Sequence, residues 1–142
     1  MKYYIATDHA GFAVKETVKK IVRGLGHQIE DLGPDSAQRV DYPDYAHLLS
    51  EAVLGESGSF GILICGTGIG MSLAANKHEG IRAALCHDAY TAQMARAHND
   101  ANVLCFGERV VGAGVIESIL KAWSATNFEG GRHADRVAKI EP

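Results

Sequence analysis

Short apolar segments rich in β-branched and aromatic residues recur along the chain, and segments with helical periodicity separate them. Four of these segments, residues 3–6, 60–65, 81–86 and 103–106, predict buried strands. None alternates cleanly between apolar and polar residues, which is the pattern of parallel strands covered on both faces. A more polar segment, 28–32, predicts an edge strand. The pattern therefore restricts the chain to a layered fold around a parallel sheet.

Helices are predicted between these strands. Apolar residues recur at helical spacing within 14–25 and within 115–123, Pro43 suits the first turn of another helix, and Asp88 is placed to cap a helix that runs through Asn99. Strands that alternate with helices of this length form right-handed βαβ units. We therefore expect an α/β fold, a three-layer α/β/α Rossmann-like arrangement with a five-stranded parallel sheet.

Length and charge narrow the possible functions. The 142 residues suit a single domain, 1–142, in which residues 132–142 after a Gly-Gly pair predict a basic helical tail. With 14 basic and 17 acidic residues, the chain lacks the positive field that attracts nucleic acids and anionic membranes, so neither is an expected partner. No apolar run approaches ~18 residues, so no membrane span is expected. Three cysteines without a Cys-x-x-Cys spacing indicate reduced thiols and a cytoplasmic location.

A glycine-rich loop follows the strand at 60–65. Cys65 ends that strand, and Gly66-Thr67-Gly68-Ile69-Gly70 leads into a helix at the edge where open α/β sheets bind ligands. Alternating glycines let backbone N–H groups converge on a phosphate or on an oxyanion, and the start of the helix adds partial positive charge. A tight strand–helix turn is an equally good explanation from composition alone. Position at this loop makes Cys65 the candidate reactive thiol, because amide dipoles favour a thiolate.

Several better-known loops do not fit. A Walker loop ends in Gly-Lys-Ser/Thr, whereas Gly70 is followed by Met71 and Ser72. A cysteine phosphatase loop needs Arg where Met71 stands. A dinucleotide fingerprint belongs to the first strand, with two residues before its last glycine. No His-x-x-x-His or His-x-His pair occurs among the seven histidines, so we expect neither a metal site nor a cofactor.

Two further groups of polar residues are candidates. Asp8 and His9 follow the first strand, and they meet the glycine loop if strands one and three are neighbours; otherwise they form a helix cap and a polar turn. Arg132 and Arg136 are four residues apart, so on a helix they share a face. Paired guanidinium groups match phosphate geometry, although a solvated basic helix would show the same spacing.

Together these motifs resemble those of ribose-5-phosphate isomerase type B, whose wider family includes allose-phosphate and galactose-6-phosphate isomerases. The resemblance covers nearly the whole chain in order. The matching segments are 8–11 (DHAG), 39–46 (RVDYPDYA), 61–76 (GILICGTGIGMSLAAN), 80–83 (GIRA), 98–104 (HNDANVL), 107–112 (GERVVG), 129–133 (EGGRH) and Arg136.

The resemblance implies an activity and a set of catalytic residues. The reaction is the metal-free interconversion of D-ribose 5-phosphate and D-ribulose 5-phosphate in the pentose phosphate pathway. By matching position, Cys65 is the base that moves a proton between C1 and C2, and Thr67 assists proton transfer between the oxygens. Asp8 and His98 serve ring opening. Backbone amides hold the enediolate; they belong to Gly66, Gly68, Ile69 and Gly70.

The resemblance also implies binding residues and an assembly. Tyr42 and Asn99 lie near the sugar, and the phosphate is held by His9, Arg109, Arg132 and Arg136. Family members are homodimers or dimers of dimers whose sites are shared, so that His98 and Asn99 come from the partner. One branch has Glu in place of Met71 and lacks the cysteine, so this chain resembles the cysteine branch. A six-carbon sugar-phosphate isomerase and a noncatalytic phosphosugar-binding module remain the alternatives.

Overall fold

The structure, a computed structural model, describes residues 1–142. Five strands alternate with helices, and a sixth helix ends the chain. The strands are β1 Lys2–Thr7, β2 Gln28–Asp31, β3 Phe60–Cys65, β4 Ala83–Leu85 and β5 Val103–Gly107. The helices are α1 Phe12–Gly24, α2 Tyr42–Leu54, α3 Ile69–Ala75, α4 Ala89–Asn99, α5 Ala113–Ala125 and α6 Arg132–Ala138.

All strand pairs are parallel, and the sheet order is β2-β1-β3-β5-β4. The predicted three-layer α/β/α fold is confirmed. β1 lies directly beside β3, as the proximity of Asp8 to the glycine loop requires. The central strands β1, β3 and β5 place their carboxyl ends side by side at one edge of the sheet, which we call the carboxyl edge.

Two apolar clusters explain why the strand sequences do not alternate. Residues 3, 5, 62, 64, 104 and 106 face one side of the sheet and pack against α1, α4 and α5. Residues 4, 6, 63, 65, 103 and 105 face the other side and pack against α2 and α3. Because both faces are covered, every position in the central strands except Lys2 at the start of β1 is buried, whichever side it points to. None of the helices is both long enough and apolar enough to cross a membrane.

Local signals for the helix starts are confirmed. The Asp88 side chain accepts a hydrogen bond from the Thr91 N–H at 2.7 Å, and the Thr91 hydroxyl oxygen accepts one from the Asp88 N–H at 3.3 Å. This capping box begins α4. Pro43 lies in the first turn of α2, where a missing N–H costs nothing.

Two predicted elements differ from the structure. The segment 81–86 is not a fully buried strand: β4 has only three residues, all half-buried, and forms the outer edge of the sheet beside β5. An edge strand has a neighbouring strand on one side only, so its other side stays partly exposed. The apolar composition of 81–86 therefore overestimated the length and burial of β4. The helical part of the tail ends at Ala138, short of the predicted 142, and packs beside α4.

Candidate active site

Backbone hydrogen bonds tie three loops together at the carboxyl edge. The Asp8 N–H donates to the Ile64 carbonyl at 3.2 Å, which joins the end of β1 to β3. The N–H groups of Glu108 and Arg109 donate to the carbonyls of Cys65 and Gly66, each at 3.0 Å. The residues after β1, β3 and β5 therefore form one continuous surface.

The glycine loop can take its path only because Gly68 and Gly107 lack side chains. Gly68 has φ +80°, and a Cβ there would lie 2.7 Å from the carbonyl carbon of Phe106 and 2.7 Å from a Leu85 methyl. A Cβ on Gly107 would lie 2.5 Å from the Thr67 Cα. Since one collision involves the backbone of β5 and the other the backbone of the glycine loop, these glycines fix how closely the loop approaches the end of β5.

The loop presents several backbone donors around the Cys65 sulfur. The Gly68 N–H donates to Cys65 Sγ at 3.1 Å, and the Ile69 N–H donates to Thr67 Oγ1 at 3.2 Å. The N–H groups of Gly66, Thr67 and Gly70 donate to no acceptor in the chain. Of the two interpretations of this loop, an anion-binding turn fits better than a purely structural turn, whose amides would be bonded internally.

The three thiols have different surroundings. Burial raises the pKa of Cys86 to about 11, and it raises the pKa of Cys105 well above its ordinary value. Both are therefore neutral packing groups at pH 7. Cys65 is also buried, but its sulfur accepts an amide hydrogen bond and lies at the base of the glycine loop. Cys65 is therefore the one thiol of the three that lies against the N–H groups of the glycine loop.

Tyr42 and Arg109 border this loop. The Tyr42 ring lies so close to Gly70 that a Cβ there would be 2.5 Å from the ring edge. The Arg109 guanidinium lies over Gly66: its Nη1 would be 3.1 Å from a Cβ added to that glycine. One aromatic ring and one permanent cation therefore flank the free N–H groups, which suits a polyhydroxy anion as ligand.

Asp8 and His9 occupy the wall beside this loop. One carboxylate oxygen of Asp8 accepts the N–H groups of Ala10 and Gly11, at 2.9 and 3.1 Å, so the predicted polar turn is present. His9 Nδ1 accepts the Val40 N–H at 3.3 Å. A cavity of about 520 Å³ opens here; its lining includes Asp8, His9, Tyr42 and the segment 39–44. Three of the predicted residues, Asp8, His9 and Tyr42, thus line one recess.

The remaining predicted residues lie elsewhere. His98 and Asn99 end α4, which runs back across the sheet and stops just before β5 begins at Val103. The strand from Val103 to Gly107 separates them from the carboxyl edge by roughly 13 Å, at ~3.3 Å per residue. α6, with exposed Arg132 and Arg136, packs beside the end of α4.

A single chain therefore divides the predicted set between two places. Asp8, His9, Tyr42, Cys65 and Arg109 lie at the carboxyl edge, together with the loop residues Gly66, Thr67, Gly68, Ile69 and Gly70. His98, Asn99, Arg132 and Arg136 form a second group at the opposite end. The sequence did not indicate that both arginines would lie with His98 rather than with His9.

Three titratable residues that lie near these groups were not among the predicted site residues. At the carboxyl edge, burial raises the pKa of Glu108, and the Asp8 carboxylate adds to that shift while Arg109 opposes it. At the opposite end, the rings of His98 and His133 stack 4.2 Å apart, and Glu129 approaches both. The four-residue spacing from Glu129 to His133 was the available signal.

Comparison with known proteins decides the family. Residues 3–140 match the family model described as Ribose/Galactose Isomerase. The chain belongs to the ribose/galactose isomerase family. Ribose-5-phosphate isomerase B of Escherichia coli is 47% identical over 139 residues, which are 98% of this chain and 93% of that protein.

Solved structures agree with this family membership. The type B ribose 5-phosphate isomerase of Trypanosoma brucei matches with a TM-score of 0.95 at 50% identity, covering 99% of this chain and 96% of that one. Family members differ in named substrate. A D-erythrulose-4-phosphate isomerase of Pectobacterium atrosepticum is 42% identical over 137 residues, which are 96% of this chain and 90% of that protein.

Proposed function

We propose that this protein is an aldose–ketose isomerase that interconverts D-ribose 5-phosphate and D-ribulose 5-phosphate by proton transfer through an enediolate. Family membership supports the reaction class, and relatives named ribose-5-phosphate isomerase B support the substrate. The observation that carries the chemistry is the buried Cys65 sulfur beneath a loop with three free N–H groups. The substrate is a small sugar phosphate of the pentose phosphate pathway.

The reaction can be written onto these atoms. Cys65, as the thiolate, takes the proton from C2 of the open-chain aldose and returns it to C1. The negative charge that develops on the enediolate oxygens is stabilised by the N–H groups of the glycine loop. Thr67 Oγ1, on the exposed side of the loop, moves a proton between O1 and O2. One well-placed oxyanion donor is typically worth ~10²–10³ in rate, so this loop supplies a large share of the acceleration.

Ring opening and phosphate binding require the second group of residues. Asp8 and His98 act on the ring oxygen and the anomeric hydroxyl, Tyr42 and Asn99 contact the sugar, and the phosphate binds to His9, Arg109, Arg132 and Arg136. The phosphate interaction is remote from C1 and C2, so its binding energy positions the reacting carbons.

The separation of the two groups supports a shared site in a homodimer or a dimer of dimers. Because His98 lies an entire strand length from Cys65 within one chain, it reaches the carboxyl edge only from a second copy. Ile69 and Leu73, one helical turn apart on α3, are 51% and 63% exposed beside the glycine loop. Exposed apolar side chains beside an incomplete site suit an interface between copies. Three free buried cysteines suit a reducing, cytoplasmic location.

A substrate panel tests the proposal. Purified protein is treated with a chelator and assayed side by side on ribose 5-phosphate, allose 6-phosphate, galactose 6-phosphate and erythrulose 4-phosphate. We expect the highest kcat/KM with ribose 5-phosphate and no loss of activity with chelator. Preference for a six-carbon sugar would reassign the substrate, and binding of sugar phosphates without turnover would show a noncatalytic module instead. Activity abolished by the chelator would contradict the metal-free reaction.

A further inference from the structure

Three potential metal ligands meet at the opposite end of the molecule from Cys65. His98 Nε2 and His133 Nε2 lie 3.8 Å from the two carboxylate oxygens of Glu129, and the ligand atoms of all three residues are within 4.8 Å of one another. His98 belongs to α4, His133 belongs to α6, and Glu129 lies in the segment between α5 and α6. The cluster is therefore assembled by tertiary structure rather than by one helix.

The backbone holds these groups in place. The Glu129 N–H donates to the Ala97 carbonyl at 3.0 Å, which fixes Glu129 beside the last turn of α4. Gly130 and Gly131 both adopt positive φ, +68° and +56°, a conformation that side chains disfavour. This turn leads directly into α6, so the glycine pair of the Glu-Gly-Gly-Arg-His motif lets His133 return to face Glu129.

One ligand atom in this cluster lacks a partner. The His133 side chain is only 9% exposed, and its Nε2 is buried without a hydrogen bond. A buried polar nitrogen without a partner is costly and rare in folded proteins. Its position facing Glu129 and beside His98 is the independent sign that the cluster has a ligand.

We propose that His98, Glu129 and His133 bind a divalent transition metal ion of the zinc class, and that the bound ion inhibits the enzyme by capturing His98. Two imidazoles and one carboxylate form a zinc donor set with an open fourth position. The side chains of His98 and Glu129 are 38% and 56% exposed, so the ion can enter and keep water as its fourth ligand. The inhibitory half of the proposal rests on the proposed function, whereas the binding half does not.

The required movement is small. Zinc bonds of ~2.0–2.1 Å arranged as a tetrahedron place ligand atoms ~3.3 Å apart. The present separations of 3.8 to 4.8 Å must therefore shorten, and the two exposed side chains can supply that movement. The His98 ring must tilt out of its stack with His133, which is now 11° from parallel. Nearby Arg132 and Arg136 oppose a cation, so we expect weaker binding than at a structural zinc site.

Zinc binding is measured first, without reference to activity. Competition with a chromophoric zinc indicator is run in a Cys65→Ser background, because the Cys65 thiol is itself a zinc ligand. We expect one zinc ion per chain and at least a ~10-fold loss of affinity on adding Glu129→Gln. His78→Gln is the matched control, because His78 pairs with His47 at 2.6 Å on another surface. Absence of zinc binding, equal affinity with Glu129→Gln, or loss of binding with His78→Gln would overturn the proposal.

Inhibition is measured second, on proteins that keep the native Cys65. Isomerisation is followed with added Zn²⁺, and each variant is compared with its own metal-free rate. We expect Glu129→Gln and His133→Gln to need at least ~10-fold more zinc for half-inhibition. Equal zinc sensitivity in both variants and the parent would refute capture of His98. If the protein isomerises no ribose 5-phosphate, the proposed function fails while the zinc titration still decides the binding site.

Discussion

Replacing Gly68 with alanine tests whether the shape of the glycine loop produces catalysis. A side chain at φ +80° costs about 1–2 kcal/mol. The new Cβ would also lie 2.7 Å from the backbone of Phe106, in the buried strand β5, so the loop must move rather than the strand. Overpacking of this kind costs about 1–3 kcal/mol, so the free energy of unfolding should fall by about 2–5 kcal/mol in total. The free energy of unfolding of a 142-residue domain is typically about 7–21 kcal/mol, so the variant should remain folded.

The effect on catalysis should exceed the effect on folding. Moving the loop displaces the free N–H groups and the Gly68 N–H that bonds to Cys65 Sγ. We expect kcat on ribose 5-phosphate to fall by at least ~10². Gly114→Ala is the matched control: Gly114 lies in α5, nothing stands within 4 Å of a Cβ there, and alanine favours the helix by up to about 1 kcal/mol. A folded Gly68→Ala enzyme with parental kcat would refute the role of the loop.

Three further predictions concern phosphate binding, the shared site and pH. Arg136→Ala should raise KM for ribose 5-phosphate with a smaller change in kcat, because the proposed phosphate contact of Arg136 is remote from the reacting carbons; an unchanged KM would place the phosphate elsewhere. Cys65→Ala and His98→Asn should each be inactive alone, yet regain activity when their subunits are mixed, since a hybrid of the proposed shared-site dimer would have one complete site; no recovery would contradict sharing. Burial lowers the pKa of His27 and His133, so the unfolded chain binds more protons below about pH 6.5. The denaturant concentration at the unfolding midpoint should therefore decrease as the pH is lowered from 7.5 to 5.5, and His27→Gln should weaken this pH dependence. A midpoint that does not change with pH would refute this explanation.

Much of the fold was predictable because burial on both faces leaves a direct mark on sequence. The strand Phe60–Cys65 is apolar at every non-glycine position since alternate residues pack against different helix layers. β4 was overestimated because apolar composition cannot tell a central strand from an edge strand packed on one side. The end of α6 at Ala138 left no comparable signal.

The sequence placed candidate residues at the ends of particular strands and helices, but it did not show which of them one chain brings together. Cys65 and the loop glycines were predicted at the carboxyl edge because they follow a strand, and the structure places their backbone there. The separation of His98 and Arg136 from that edge depends on the direction in which α4 crosses the sheet and on the packing of α6. The cluster of His98, Glu129 and His133 was missed because its ligands come from three separate segments.

The most direct test of the central claim is turnover by Cys65→Ala compared with its binding of substrate. Ribose 5-phosphate binding is measured by calorimetry and isomerisation by the formation of ribulose 5-phosphate, with both assays run after chelator treatment. If Cys65 moves the proton between C2 and C1, the variant binds substrate with nearly parental affinity and loses almost all turnover. Isomerisation by Cys65→Ala at the parental rate would contradict the mechanism.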